Sequence, residues 1–355
     1  MTTGHKDMHA APLGIALVIW VVLSVMGALE AMTGGPSVST LLDVSYGKGP
    51  AQVGALRARE LDPSSPPLCP AMFQMTHDGS LWVLDSVNAR ILEFRDGKQV
   101  ACTAAGGPRK IPNLFGVTRR AVFVGGTERR DDMPAGLLWR YDRVRQTSEA
   151  VDLDLPEGRR FTPIGIVPLG STESQLLIYG SSHPDNESAA VAIDEKGSIK
   201  SVCQSAGAVL QYMAAADGSI WRVSPGGEQQ ADHVPILIQR RQAADKVWES
   251  ISSASIPRRP LLSAQRKQAR LRPLGVDSEG RVAVALFEGR PASVRFVRLS
   301  ISGEILSAVT LEELGMAPAP LYSFFAAEHY QLLPDGSVLA QYATPERYRI
   351  IRVVF

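Results

Sequence analysis

The chain has 355 residues, 45% of them hydrophobic, with 37 Lys and Arg against 36 Asp and Glu. That hydrophobic share excludes a disordered chain, and a formal charge of +1 leaves no global field to draw nucleic acid. The three cysteines, Cys69, Cys102 and Cys203, form no CxxC and no Cys/His cluster. Neither a disulfide framework nor a structural zinc site is expected, and no cofactor is implied.

From Ala10 to Leu29, AAPLGIALVIWVVLSVMGAL holds no charged residue. Twenty apolar residues at about 1.5 Å each span a bilayer of about 30 Å as a helix. Lys6 and the amino terminus precede the run, partly balanced by Asp7, a weak positive-inside signal. Beside a buried helix, two export readings stay open: an uncleaved anchor over residues 10–29, or a signal peptide cleaved after Ala31, for which Leu29 is a poor minus-three residue. No cysteine follows to carry a lipid. Either reading exports the rest of the chain, dividing it into residues 1–32 and 33–355.

The exported part opens with a four-part word. MFQMTHDG ends in a turn, SLWVLD and RILEF are short strands, RDGK is a hairpin turn, and QVACTA is a fourth strand. The word recurs. PNLFGVTR, RAVFVGG, LLWRYD and EAVDLDL form a second copy. FTPIGIVPLG, SQLLIYG, AAVAIDEKG and SIKSVCQ form a third. A fourth reads AVLQYMAAADG, SIWRVS, HVPILIQR and a degraded KVWESIS; a fifth reads LRPLGVDSEG, RVAVALFEG, SVRFVRLSISG and EILSAVTL. The sixth, EHYQLLPDG, SVLAQY and YRIIRVVF, stops one strand short. Turns with Gly79, Gly218, Gly280 and Gly336 mark four copies, and Trp82 and Trp221 stand at one offset.

Six four-stranded units at this period predict an all-β, six-bladed β-propeller. A lone four-stranded sheet buries neither face; stacked around an axis it buries both. Trp82, Leu84, Ile91 and Phe94 are expected between blades. STLLDVSYG (Ser39–Gly47) has strand character and is expected to supply the missing sixth outer strand, closing the ring near residues 39–47.

DGSLWVLDSVNARILEFRDGK resembles the NHL repeat in the placing of Asp85, Asn88, Arg90 and Phe94, and YGKGPAQVG resembles the lead-in of exported bacterial NHL-like propellers. The close match covers one blade; the others agree in period and strand pattern. The resemblance implies the fold and carries no activity, because propellers host many.

Propellers similar to gluconolactonase or paraoxonase hold a divalent cation on the axis, which needs converging oxygens. The inner strands here offer Gln74, Asn113, Gln211 and Gln331, with no well-placed Glu. A lyase resembling the virginiamycin or peptidylglycine type needs histidines at the axial mouth; His77 and His329 fall on inner strands of neighbouring blades, among the exported set His77, His183, His233 and His329. Surface or packing roles account for them more simply. No G-x-S-x-G is present, and the cysteines fall on outer strands or a crossing, as buried, inert thiols.

IPRRPLLSAQRKQARLR (Ile256–Arg272) carries six positive charges and no acid. It reads as the longest insertion between blades, either a solvated loop or a docking arm for an acidic partner or lipid headgroups through Arg258, Arg259, Arg266, Lys267 and Arg270. Arg119, Arg120, Arg129 and Arg130 are expected near a second loop. The reading is an envelope protein, periplasmic or extracytoplasmic, that binds a protein or small ligand on an axial face. The alternative is a metal-dependent hydrolase or lyase.

Overall fold

The computed structural model describes residues 35–55, 72–104, 114–130, 133–155, 158–183, 187–205, 212–226, 232–242, 248–258, 270–288, 293–316 and 330–355. The expected helix over residues 10–29 lies outside them, and among the described residues no helix is long and apolar enough to cross a membrane.

The described chain is all strand and turn. β1 (Ser37–Ser45) comes first. Blade 1 is β2 (Phe73–Met75), β3 (Leu81–Asp85), β4 (Arg90–Arg95) and β5 (Lys98–Ala104); blade 2 is β6 (Leu114–Val117), β7 (Ala121–Arg130), β8 (Met133–Asp142) and β9 (Ser148–Val151). Blade 3 is β10 (Arg160–Leu169), β11 (Gln175–His183), β12 (Glu187–Asp194) and β13 (Ile199–Ser205); blade 4 is β14 (Tyr212–Ala214), β15 (Ile220–Pro225), β16 (His233–Arg241) and β17 (Glu249–Pro257). Blade 5 is β18 (Arg270–Val276), β19 (Val282–Glu288), β20 (Ser293–Leu299) and β21 (Ile305–Thr310); blade 6 is β22 (Tyr330–Leu332), β23 (Val338–Ala343) and β24 (Arg347–Val354). Each sheet runs in chain order except the last, where β1 lies beside β24 in the order β1-β24-β23-β22. The first strand of the described chain is therefore the outer strand of the final blade.

Burial follows position in the blade. All five residues of β3 are buried, because a second strand has a neighbouring blade on each side, whereas outer β5 alternates between exposed and half-buried. Six apolar clusters form, one in each seam. Trp82, Leu84 and Ile91 meet Val122 and Val124 between blades 1 and 2. Phe94 points the other way, into the seam with blade 6, where it joins Leu42, Val44, Leu339 and Ile350. The remaining clusters join blades 2 and 3, 3 and 4, 4 and 5, and 5 and 6. Inner strands touch in succession from β2 to β22, and Gln331 returns to Met75 to complete the circuit. This is a six-bladed propeller.

β1 shows how the seam selects residues. Leu42 and Val44 are buried between blades 6 and 1. Asp43, between them, faces outward and accepts from Arg347 and Arg349 of β24. The Tyr46 hydroxyl lies 3.0 Å from the carbonyls of both Thr344 and Arg347.

β7 and β8 extend through the charged segment, so Arg129 and Arg130 close β7 next to residues 131–132, which join it to β8. One local expectation changes. β17 continues through Ile256 and Pro257, because Ala254 and Ile256 reach the seam with blade 5. β18 begins at Arg270. The insertion expected over Ile256–Arg272 is thus the shorter connection 258–269.

Candidate functional site

Strand alternation gives the propeller two unlike ends. Turns from first to second and third to fourth strands share one end, the turn face. Second-to-third turns and the crossings between blades share the other, the crossing face. Most of the crossings lie outside the described residues.

Three turns on the turn face use one device. Asp78, Asp217 and Asp335 each accept the backbone N–H two residues on, from Ser80, Ser219 and Ser337, at 2.9–3.1 Å. The Ser219 and Ser337 hydroxyls donate to the same carboxylates. The intervening glycines Gly79, Gly218 and Gly336 have φ of 80–83°, the left-handed region that glycine occupies without strain. An arginine from the third strand completes two of them: Arg95 donates to Ser80, and Arg352 to Ser337 and Asp335. Burial alone raises the Asp335 carboxyl, but Ser337 and Arg352 together hold it below the usual value; Thr76, Ser80 and Arg95 do the same for Asp78.

Two of the glutamines considered as axial oxygens are engaged with backbone. Gln74, 4% exposed, accepts the Val117 N–H at 2.7 Å and donates to the Val117 carbonyl at 2.9 Å. Gln331 accepts the Met75 N–H at 2.7 Å and donates to its carbonyl at 2.9 Å. Each side-chain amide mimics a strand residue and joins the inner strands of adjacent blades. Asn113, Gln211 and His329 lie outside the described residues. His77 is exposed on the turn face, and its backbone N–H, not its ring, makes the notable contact.

That contact is to Glu173, which sequence patterning does not single out. The Glu173 carboxylate accepts the His77 N–H of blade 1 at 2.6 Å, and its backbone carbonyl accepts the Arg119 N–H of blade 2 at 2.9 Å. On the other flank Ser171 donates to Ala216 of blade 4 at 3.1 Å. One turn of blade 3 therefore bonds turns of three other blades. Ser278 bonds Pro334 in the same way between blades 5 and 6.

At the crossing face, Asp85, Asn88 and Arg90 of the NHL-like pattern form one network. Asp85, with a fully buried side chain, accepts the N–H groups of Gly54 and Asn88 and forms an ion pair with Arg90 at 2.9 Å. Asn88 reaches the Gly47 carbonyl, and Arg90 reaches the carbonyls of Lys48, Gly49 and Gln52. The pattern in blade 1 thus grips the lead-in that follows β1. Its place in the sequence was legible; this clamping role was not.

Of the basic docking candidates, Arg258 directly follows β17 and its N–H donates to the Asp232 carbonyl at 2.7 Å. Arg270 opens β18. Arg259, Arg266 and Lys267 lie outside the described residues, as does Cys69. Cys102 is exposed, contrary to the expectation of buried thiols, because it sits on an outer strand with one face to solvent; Cys203 is buried. His183 shares a hydrogen bond with Thr162 at 3.1 Å, and His233 lies 3.1 Å from Asp232. Among the described residues no three His, Cys, Asp or Glu side chains converge.

No family model and no curated protein sequence matches the chain. Among solved structures it is similar to a hydrazine synthase of Kuenenia stuttgartiensis, at 13% identity over 81% of this chain and 76% of that one, TM-score 0.49. It is similar to a streptogramin B lyase at 15% identity over 79% and 78%, TM-score 0.43, and to a luciferin-regenerating enzyme at 12% over 90% and 96%, TM-score 0.48. The propeller assignment rests on the strand order and the six seams.

Proposed function

We propose that the chain is an exported, NHL-like binding propeller, held at or released from the cell envelope through residues 10–29, whose recognition surface is the crossing face. The observation that carries this reading is the state of the turn face. Its turns bond to one another across blades through Glu173 and Ser278, and Gln74 and Gln331 join the inner strands beside them, so these polar groups serve the ring. Recognition on rigid scaffolds falls to long connections, and here these are the crossings.

The crossing between blades 4 and 5 carries Arg258, Arg259, Arg266 and Lys267, and Arg270 opens the strand that follows it. An acidic protein surface is the partner that such a set fits. The test is crosslinking and pull-down from the native envelope with the full chain, compared with a variant in which all five are glutamine. A partner recovered with wild type and lost with the variant supports the reading. No partner above background, or equal recovery, overturns it. Thermal unfolding with calcium, zinc or chelator addresses the metal-dependent alternative, since a ligand that binds only the native state raises the melting temperature.

A further inference from the structure

Exposed aliphatic side chains gather at the turn-face end of blades 5 and 6. The hairpin from β20 to β21 is closed by two backbone bonds: Ser300 N–H to the Glu304 carbonyl at 2.8 Å, and Gly303 N–H to the Ser300 carbonyl at 3.0 Å. Ile301 sits inside that turn, and Ile305 opens β21 opposite Leu299. Leu306 is the extra residue of a bulge, since the next pair is Arg298 with Ser307. These three are 42–50% exposed. The corresponding hairpin shows Arg95, Asp96 and Lys98 to solvent in blade 1, and Lys196 and Ser198 in blade 3. Blade 5 places isoleucine and leucine where those blades place charged and polar residues.

The patch continues onto blade 6. Arg298 donates to the Gly336 carbonyl at 2.6 Å, and its guanidinium lies 4.7 Å from the centre of the Phe355 ring. The end of β24 therefore meets the blade 5 hairpin. Val354, next to Phe355, is exposed, and so is Val38 near the start of β1. Val38 keeps the alternation of Leu42 and Val44, and Val354 keeps that of Tyr348 and Ile350; those four residues line the seam between blades 6 and 1. Single exposed aliphatic residues need no explanation, but several at one edge mark a contact surface.

The same edge receives the chain from residues 10–29. β1 is the outer strand of blade 6. Tyr46, just past its end, bonds Thr344 and Arg347 at the crossing face, so Ser37 enters at the turn face. Eight steps along the chain separate Leu29 from Ser37, and a fully extended chain of that length spans at most about 29 Å. An apolar run held in a bilayer keeps this edge within one short tether of the lipid. Contact then becomes intramolecular, at an effective concentration on the order of mM, and a few aliphatic side chains suffice. Resting on the anchored form of the reading above, we propose that the turn-face edge of blades 5 and 6 lies on the lipid surface. Ile301, Ile305, Leu306, Val354 and Val38 enter the headgroup region, and the crossing face is turned away from the bilayer.

The experiment attaches a nitrobenzoxadiazole fluorophore to single cysteines: Ile305→Cys, Val354→Cys and, exposed at the opposite end of blade 6, Glu346→Cys. The full chain carries Cys69→Ser and Cys102→Ser, Cys203 being buried. It is incorporated into phosphatidylcholine nanodiscs with or without a lipid bearing a nitroxide near the top of its acyl chain. The expected result is about twofold quenching at positions 305 and 354, where side chains lie about 5–10 Å into the interface, and none at 346. Ile301→Asp combined with Leu306→Asp should roughly halve the quenching at 354. A chain that does not enter the discs overturns the anchor and this proposal with it. In a chain that does enter, unquenched turn-face probes, or equal quenching at 346, overturn this proposal alone. So does a double variant that changes nothing, which leaves orientation to the tether. So do blue-shifted probes that escape the nitroxide, which give the patch to a second copy of the chain.

Discussion

Gln331 on the last inner strand holds the backbone of Met75 on the first from both sides, accepting its N–H at 2.7 Å and donating to its carbonyl at 2.9 Å. Gln74 repeats the arrangement on Val117. β2 and β22 have only three residues each and belong to different sheets, so no strand ladder joins them. A side-chain amide spans the gap. Replacing Gln74 with Leu keeps the volume and strands a buried N–H and a buried carbonyl, each costing about 1–3 kcal/mol. Gln74→Leu is expected to lose about 2–4 kcal/mol in urea unfolding, and Gln331→Leu somewhat less because it is partly exposed. A loss under about 0.5 kcal/mol in both would show that the amides are incidental.

Closure by β1 tests which force holds the ring. Leu42 is 1% exposed in the seam between blades 6 and 1, whereas the Asp43 pairs with Arg347 and Arg349 are roughly one-third exposed. Truncating a buried Leu costs about 2–5 kcal/mol, and an exposed ion pair contributes about 0.2–1 kcal/mol. Leu42→Ala should therefore destabilise the ring several times more than Asp43→Ala, at low and high salt alike. Equal losses, or a large salt-dependent loss for Asp43→Ala, would assign closure to charge.

The Asp85 network is expected to behave as one unit. Asp85→Ala leaves the Arg90 guanidinium and the N–H groups of Gly54 and Asn88 without their shared acceptor. Breaking a buried pair by removing one partner costs about 3–5 kcal/mol. Limited proteolysis should then cut within residues 47–54, since that segment is held by Asn88 and Arg90. Gly54→Ala should act in the same direction, because an added Cβ falls 2.5 Å from Val87 Cβ and 2.7 Å from Asp85 Oδ1. A resistant 47–54 segment in Asp85→Ala would place its anchorage elsewhere.

These cases show what the linear chain discloses. The turns at Gly79, Gly218, Gly280 and Gly336 were legible because the left-handed backbone demands glycine at a fixed offset, and all four have φ between 76° and 83°. The seam-facing Trp82, Leu84 and Ile91 were legible through alternation. β17 gives a weak strand signal because it is written largely in serine, ESISSASIP, with Ala254 and Ile256 buried and Ile251 half-buried against the seam. The charged ends of β7 and β8 gave no strand signal because TERRDDMP carries no alternation of apolar and polar residues. The roles of Gln74 and Gln331 were not legible at all. Each is defined by its partner's backbone, 43 residues away for Gln74 and 256 for Gln331, and a residue type does not reveal whether its amide faces a channel or a neighbouring strand.

Glu173 yields a prediction in which the sign matters more than the size. It is half-buried where turns of blades 1, 2 and 3 meet. Burial raises its carboxyl above the ordinary value of 4.5, and the Asp78 charge adds to this; the His77 N–H, the His77 ring and Arg143 act in the opposite direction. The native state therefore holds the proton more tightly than the unfolded chain. Through the window just above pH 4.5 unfolding releases that proton, so the contribution of Glu173 to stability falls as pH rises. Glu173→Gln keeps an oxygen for the His77 N–H and removes the charge. Its melting temperature should match wild type near pH 4 and equal or exceed it at pH 7, by a few degrees at most, while Glu173→Ala loses the bridge at both. If Glu173→Gln is the less stable protein at pH 7 and recovers at pH 4, the carboxylate is stabilised in its ionised form, and Arg143 or His77 governs the site in place of burial.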